Sequence, residues 1–460
     1  MKIRQAAHLL ASPKASREYR EAAALVKELR QKGHTAYIVG GAVRDILLGK
    51  NPHDYDVTTS ATPEEILQLY PDALGLGAAF GIMSIPRGEK LLIEVATYRE
   101  DQDYRDGRHP EKVQYSKTPQ EDIARRDFTI NALLLDPEKE EIIDFTSGID
   151  DLKKGILRTV GEPAKRFRED ALRMLRAVRF SVRFDMVMEE NTKNAVKECA
   201  ALIRNLSSER LREEMDRMLT GPRPERAVEM LSDLGLLKEF LPEIEAMRGV
   251  EQPKEFHPEG DVFVHTLLML SHMVNPSQEL AWSVLLHDVG KPGARKVIDG
   301  RARFYSHEVK GAEIAEEIMV RLKMPAKRIK TVREAVEKHM RFSNVDKMRS
   351  STWRRILGEE DFPLHLELHR LDCLSCHIFM QNYILLLDKC IELQEEGLQA
   401  LPAPFLTGKD LLSLGLAPSP FLGQLLKEMM DLQLEGKVKN RKEALAVAHQ
   451  KIRKEDKKNG

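Results

Sequence analysis

Strand signals are confined to the first third of the chain, and that asymmetry constrains the fold more than any other feature of its 460 residues. TAYIVGG reads as a short buried strand stopped by glycine, AVRDILLG as a helix closed by Gly49, and YDVTTS as a second strand. TPEEILQLY opens a helix with a threonine cap and carboxylates in its first turn. FGIMSI, KLLIEVATYR, TINALLLD and EEIIDF follow as further strands, and residues 15–33 carry apolar groups at helical spacing. Strands mixed with helices up to about residue 150 predict one mixed-sheet head. After that the strand signal disappears. Residues 150–250 and 260–400 read as helix, broken at Gly221-Pro222, Pro242 and Pro276. The expected class is α+β: a head at 1–150, a helical neck and body at 151–250, a second helical domain at 251–400 and a helical tail at 401–460.

Lys and Arg number 72 against 73 Asp and Glu, so no global basic excess points to nucleic acid; any such contact must use local patches. Four cysteines are too few for a disulfide framework in a chain this long. Cys373 and Cys376 form a CxxC spacing without a second pair and lie in an apolar helical run, which favours packing over a zinc or redox role. A reducing, cytoplasmic setting fits that usage. MKIRQAAHLLASPKAS lacks the pattern of a signal peptide, and no apolar run is long enough to span a membrane.

Two constellations carry chemistry. Gly40-Gly41-Ala42-Val43-Arg44-Asp45 sits between a strand and a helix, where two glycines let backbone N–H groups approach a phosphate and Arg44 adds a side-chain contact. Soon after come Asp54-Tyr55-Asp56. Residues i and i+2 of a strand share a face, so both carboxylates converge beside the glycine turn, an arrangement that suits Mg²⁺. Glu94, on a neighbouring strand, is either a third carboxylate or a strand-end acid paired with an arginine. The second constellation is a series of histidines on or beside predicted helices: His265, His287-Asp288, His307, His339, and then Asp372. Imidazoles and carboxylates in this order suit a divalent metal, and Lys291 just after His287-Asp288 suits a phosphate.

VGGAVRD, HDYDV, ARRDFTINAL and REDALRMLRAVRF, in that order through roughly residues 35–245, resemble the class II tRNA nucleotidyltransferases and their bacterial poly(A) polymerase relatives. The resemblance implies a head related to DNA polymerase β, followed by a helical neck, body and tail. It implies addition of CCA, or of its terminal A, to a tRNA 3′ end from CTP and ATP, with Asp54 and Asp56 holding Mg²⁺. It makes Gly41, Arg44 and one or both of Arg125 and Arg126 nucleotide contacts, and Asp170 and Arg173 the base-reading pair. On a continuous helix those two stand at i, i+3; a carboxylate accepts from an exocyclic amino group and an arginine donates to ring acceptors, so cytosine and adenine fit and U and G do not. Out of context the same pair reads as a helix salt bridge. Arg176 and Arg179 continue the stripe toward triphosphate or primer.

Residues 98–112, dense in charge, read as a mobile loop beside the site; the resemblance makes it the element that switches from C to A addition and argues against a CC-only enzyme. An A-only enzyme implies a CC-adding partner. Poly(A) polymerases of this class place two basic residues before a phenylalanine where this chain has Ala78-Ala79-Phe80, which favours the tRNA-specific branch. The histidine series resembles the HD phosphohydrolase superfamily, with His265, His287, Asp288 and Asp372 as core ligands and His307 and His339 as those of two-metal members. That leaves three readings: a tRNA nucleotidyltransferase, a poly(A) polymerase, or an HD phosphohydrolase with an RNA-binding head. Lys437, Lys439, Arg441 and Lys442 in the tail are either tRNA contacts or a solvated helix face.

Overall fold

The computed structural model describes residues 2–459 except 11, 78–80, 89, 105–109, 254, 256 and 377–379, with backbone alone at 3, 7, 76–77, 100–104, 110–114 and 456–459. The chain divides into two compact units, Met1–Pro242 and Glu243–Gly460.

The first unit is built on one mixed eight-stranded sheet. In chain order its strands are β1 (Lys2–Gln5), β2 (Ala36–Val39), β3 (Asp56–Thr59), β4 (Leu74–Gly77), β5 (Ile82–Pro86), β6 (Leu92–Thr97), β7 (Leu133–Asp136) and β8 (Glu141–Asp144). Their spatial order is β1-β8-β7-β2-β3-β6-β5-β4, antiparallel throughout except for the parallel pair β3–β6. β1 and β4, which sequence patterning missed, are short strands at the two edges. Helix Arg17–Gln31 covers one face. Ser16 caps it by accepting from Tyr19 N, and its spacing buries Tyr19, Ala22, Leu25, Val26 and Leu29 in a core shared with Ile38, Val57, Val95 and Leu135. The expected threonine cap is a full capping box between Thr62 and Glu65.

Two expectations need correction. Within 98–112, residues 99–104 and 110–112 fall on two antiparallel strands, Arg99–Tyr104 and Pro110–Tyr115, paired from Arg99 opposite Tyr115. Alternating charge hid a ladder held by backbone bonds. Strands also persist beyond residue 150: Ile156–Leu157 pairs with Val187–Met188, and Arg295–Ile298 forms a hairpin with Arg301–Phe304. The latter is too rich in exposed cations to show an apolar alternation. Ala78-Ala79-Phe80 lies outside the described residues. The remaining described elements of both units are helices, and no described helix is long and apolar enough to cross a membrane.

Candidate functional site

Gly40 leaves β2 with φ +79°, a left-handed backbone suited to glycine, and helix Gly41–Leu47 starts directly after it. A Cβ on Gly40 would meet Arg126 NH1 at 3.3 Å. Asp56 opens β3 opposite Val39 at the end of β2, so its carboxylate stands beside the glycine turn. Asp54 and Asp56 are exposed around the buried Tyr55, but only Asp56 lies in the strand; Asp54 and Tyr55 precede it, so the expected placement of both aspartates on one strand is corrected. The parallel β3–β6 register sets Val57 against Val95, which brings the preceding residues, Asp56 and Glu94, side by side on one exposed face. One face of Asp56 stays open to water, yet lost solvation within the groove and then repulsion from Glu94 push its pKa up to about 6, with Arg126 opposing. Glu94 thus stands beside Asp56.

Beyond these acids, the expected nucleotide contacts take part in a bracing network. Arg44 is buried, with Nε 2.9 Å from Asp45 Oδ1, NH1 2.5 Å from Asn131 Oδ1 and its plane 4.3 Å from the Phe184 ring centroid. Arg125 and Arg126 both bind the fully buried Asp122, at 2.7 and 3.1 Å, and Asp122 also accepts from Thr58 of β3. Burial alone would raise the Asp122 pKa, but the two guanidiniums hold it below the usual carboxylate range. Arg176 grips Asp127 through two nitrogens, at 2.9 and 2.6 Å. Arg179 binds the buried Glu214 at 2.6 Å. Asp122, Asp127 and Glu214 escaped sequence reading because their partners are visible only once the chain is folded.

The segment expected to read the base departs from the expected continuous helix. Pro163–Glu169 ends there, Asp170 is extended at φ −150° and ψ 105°, and Leu172–Arg183 starts anew. Asp170 causes the break, since its Oδ1 accepts from Leu172 N at 3.0 Å in place of a continuing turn. Asp170 takes Arg210 at 2.8 Å on its other oxygen. Arg173 donates to Glu169 at 2.9 Å, to the Arg166 carbonyl at 3.2 Å and to the Arg125 carbonyl at 2.9 Å. The last bond ties it to the residues beside the glycine turn. Glu214→Ala would leave Arg179 buried without its carboxylate, so we expect a loss of about 3–5 kcal/mol in stability by denaturant titration. A loss below about 1 kcal/mol would mean that Arg179 is free for a ligand.

In the second unit the histidine series converges. His265 lies within helix Val262–Ser271, His287 and Asp288 end helix Gln278–Leu286, His307 opens helix His307–Arg321, His339 follows helix Ala326–Lys338, and Asp372 lies in helix Phe362–Ser375. Gly290 allows the close approach, since a Cβ there would strike the His307 carbonyl at 2.2 Å. Three histidines donate Nδ1–H to carbonyls one turn back: His287 to Val284 at 2.8 Å, His307 to Phe304 at 2.8 Å and His339 to Val336 at 2.6 Å. That tautomer leaves each Nε2 as a lone pair aimed inward, the arrangement of metal-ligating imidazoles. Two groups of potential ligands result, His265–His287–Asp372 and Asp288–His307–His339. Asp288 links them: Oδ2 is 3.1 Å from His287 Nε2, and Oδ1 is 3.4 and 3.7 Å from Nε2 of His307 and His339. Its burial opposes ionisation, but His287 and Lys291 hold it well below the usual carboxylate range. His287 Nε2 and Asp288 Oδ1 are buried without well-directed hydrogen bonds, acceptor capacity that a cation would satisfy. Lys291 Nζ sits 2.6 Å from Asp288 Oδ2. A cavity of about 800 Å³ opens over the cluster, and Arg303 and Tyr305 line it.

The comparisons with known proteins follow this division. Residues 36–158 match the Poly A polymerase head domain, 185–248 the probable RNA and SrmB-binding site of polymerase A, and 262–374 the HD domain. Sheet, helical region and histidine cluster therefore define the class that joins a polymerase-type nucleotidyltransferase head to an HD domain. Over 438 residues the chain is 32% identical to the CCA-adding enzyme of Enterococcus faecalis, covering 93% of this chain and 95% of that one. The chain belongs to the CCA-adding enzyme family. It is 42% identical to the Geobacillus stearothermophilus CCA-adding enzyme over 218 residues, spanning about half that relative's length (54%) and 47% of this chain. The fold is that of the Bacillus stearothermophilus CCA-adding enzyme in complex with CTP, at TM-score 0.73 and 24% identity over 96% of this chain and all (100%) of that one. The Thermotoga maritima CCA-adding enzyme complexed with tRNA gives TM-score 0.63 and 19% identity over 98% and 100%.

Proposed function

We propose that this chain adds CCA to the 3′ end of tRNA from CTP and ATP. The observation that carries this reading is the placement of Asp56 and Glu94 side by side, next to the Gly40–Gly41 turn. In the reaction the RNA 3′-oxygen bonds to the α-phosphorus, the α–β phosphoanhydride breaks, pyrophosphate leaves and the hydroxyl loses its proton. Asp54 and Asp56, with Glu94 beside them, would hold Mg²⁺; the like-charge repulsion felt by Asp56 is relieved by such an ion. When bound, the ion would activate the hydroxyl and steady the leaving pyrophosphate. Gly41 offers its backbone to the triphosphate, and Arg126, beside Gly40, is the arginine best placed to meet it. Arg44, Arg125, Arg176 and Arg179 support the walls through the side chains they bind, Asn131, Asp122, Asp127 and Glu214.

Asp170 and Arg173 read the base. Asp170 spends one lone pair on Leu172 and one on Arg210, which leaves acceptor capacity for a cytosine or adenine amino group. Arg173 uses three of its five N–H groups on protein, which leaves Nε–H and one NH₂ proton for ring acceptors. Asp170→Asn is expected to lose about 1–3 kcal/mol of discrimination against UTP, read as the CTP-to-UTP ratio of kcat/KM. An unchanged ratio would remove Asp170 from base selection.

The deciding assay offers labelled CTP and ATP to tRNAs lacking CCA, ending in C and ending in CC. Addition to all three that stops after A supports the proposal. A single A on the CC-ended tRNA alone identifies a terminal-A enzyme working after a CC-adding partner. Long A tracts on any RNA identify a poly(A) polymerase. A reducing cytoplasm suits the four free cysteines.

The buried cluster in the second unit favours a second activity, metal-dependent phosphate-ester hydrolysis. His265, His287, Asp288, His307, His339 and Asp372 would hold one or two divalent ions, which when bound supply a hydroxide and polarise a phosphoryl oxygen. Lys291 offers a cation at the cavity wall.

A further inference from the structure

His265 breaks the pattern of its cluster. The other three histidines direct Nδ1 at main-chain carbonyls, whereas His265 directs Nδ1 at Glu259 Oε1, 2.7 Å away. The same oxygen is 2.9 Å from His257 Nδ1. Cys376 Sγ closes the group, 3.6 Å from His257 Nδ1 and 3.7 Å from His265 Nδ1. Four potential ligand atoms of three chemical kinds, from His257, Glu259, His265 and Cys376, thus surround one point on the far side of the His265 ring.

We propose that these four residues form a further metal site, on the opposite nitrogen of the His265 ring from the His265–His287–Asp372 group and suited to a borderline-soft ion such as Zn²⁺. Sulfur, imidazole and carboxylate together are a zinc-type donor set. In a tetrahedral site with Zn–S and Zn–N bonds of ordinary length, the sulfur–nitrogen edge is about 3.6 Å. The two sulfur–nitrogen distances already have that length. The nitrogen–oxygen separations are those of hydrogen bonds and would open by about half an ångström around an ion. Glu259 is nearly buried, at 5% side-chain exposure, and its Oε2 has no hydrogen-bond partner. A buried, half-satisfied carboxylate facing two imidazoles and a thiol is costly when the site is empty and well used when a cation fills it.

On binding, the Cys376 thiol gives up its proton to solvent and the sulfur bonds as thiolate. His265 Nε2 faces Asp372 Oδ1 at 3.1 Å, so its ring would offer Nδ1 to this site and Nε2 to the HD group, giving up its N–H proton to solvent if both were filled. The site joins the segment that carries His257 and Glu259 to the end of helix Phe362–Ser375, one turn after Asp372. Glu251 and Asp261, which bracket that segment, form an isolated bridge that brings its two ends together.

The test uses the full chain, stripped of metal with a chelator and titrated with Co²⁺. The expected result is a near-ultraviolet thiolate-to-cobalt charge-transfer band whose limiting intensity corresponds to one thiolate-bound ion per chain, which disappears in Cys376→Ser and weakens in His257→Gln. Cys373→Ser should keep the band. Asp288→Asn should also keep it, which separates this site from the HD cluster whatever becomes of the hydrolytic reading. Native zinc content measured by mass spectrometry should fall by one ion per chain in Cys376→Ser. Absence of the band in the unmodified chain, which needs no variant to fold, overturns the proposal. A band that survives Cys376→Ser overturns it equally, and His257 and Glu259 then serve only to orient His265.

Discussion

Asp56→Asn is expected to lower CTP and ATP incorporation by roughly 10³-fold, the scale of loss when one group that stabilises developing charge is removed. The same substitution should stabilise the metal-free protein. The reason is linkage. The Asp56 carboxyl titrates near 6 in the folded chain, raised from 3.8 by lost solvation and by Glu94. A raised carboxyl pKa means that the folded state holds the proton more tightly than the unfolded state. The resulting penalty is absent below about pH 4 and complete above about pH 6. Because Asp56 keeps an open face, the gain is on the order of 1 kcal/mol rather than the full value of the shift. In chelator, Tm of Asp56→Asn should exceed that of the unmodified chain at pH 8 and equal it at pH 4. Added Mg²⁺ should raise Tm of the unmodified chain and leave the variant nearly unmoved. Retained incorporation would show that the carboxylate pair has been assigned to the wrong residues.

What could be read beforehand follows a physical division. Features set by local spacing were legible: the alternation Asp54-Tyr55-Asp56, the glycine turn, the Thr62 cap, and histidines placed on or beside helices. Features set by pairing across the chain were not. Glu94 could be suspected as an acid on a strand, but only the parallel β3–β6 register shows that it stands next to Asp56. Arg44, Arg176 and Arg179 looked like spare cations because Asn131, Asp127 and Glu214 are remote in sequence. Asp170 broke an apparent helix by capping the next one, a local choice that a helical periodicity does not reveal. Cys376 was read as part of an apolar helix run, yet it follows the last helical residue and faces His257 and His265. His257 and Glu259 carry no periodic signal, since they lie between elements.

Asp288→Asn should have the largest effect in the second unit, because the two oxygens of Asp288 reach both halves of the HD cluster. A carboxylate offers an anionic oxygen to each half; asparagine offers one neutral oxygen, and its amide nitrogen turns a donor toward the inward-facing imidazole nitrogens. The change also leaves Lys291 with only Gln252 among its two closest partners, at 2.6 Å. We expect divalent-metal affinity to fall by at least about 100-fold, beyond the usual cost of removing a supporting group. For the unmodified chain, metal at 100 times its Kd should stabilise the second unit by about 2.7 kcal/mol. With Mn²⁺, which a thiolate-containing site binds weakly, most of that metal-dependent rise in Tm should vanish in Asp288→Asn. His307→Ala supplies the contrast. It removes a ligand from the Asp288–His307–His339 group and leaves His265, His287 and Asp372 whole, so it should abolish one binding event and spare the other. Calorimetric titration would resolve the two. Equal loss in both variants would mean that the six residues hold a single ion, and an undiminished Tm rise in Asp288→Asn would mean that the metal is held elsewhere.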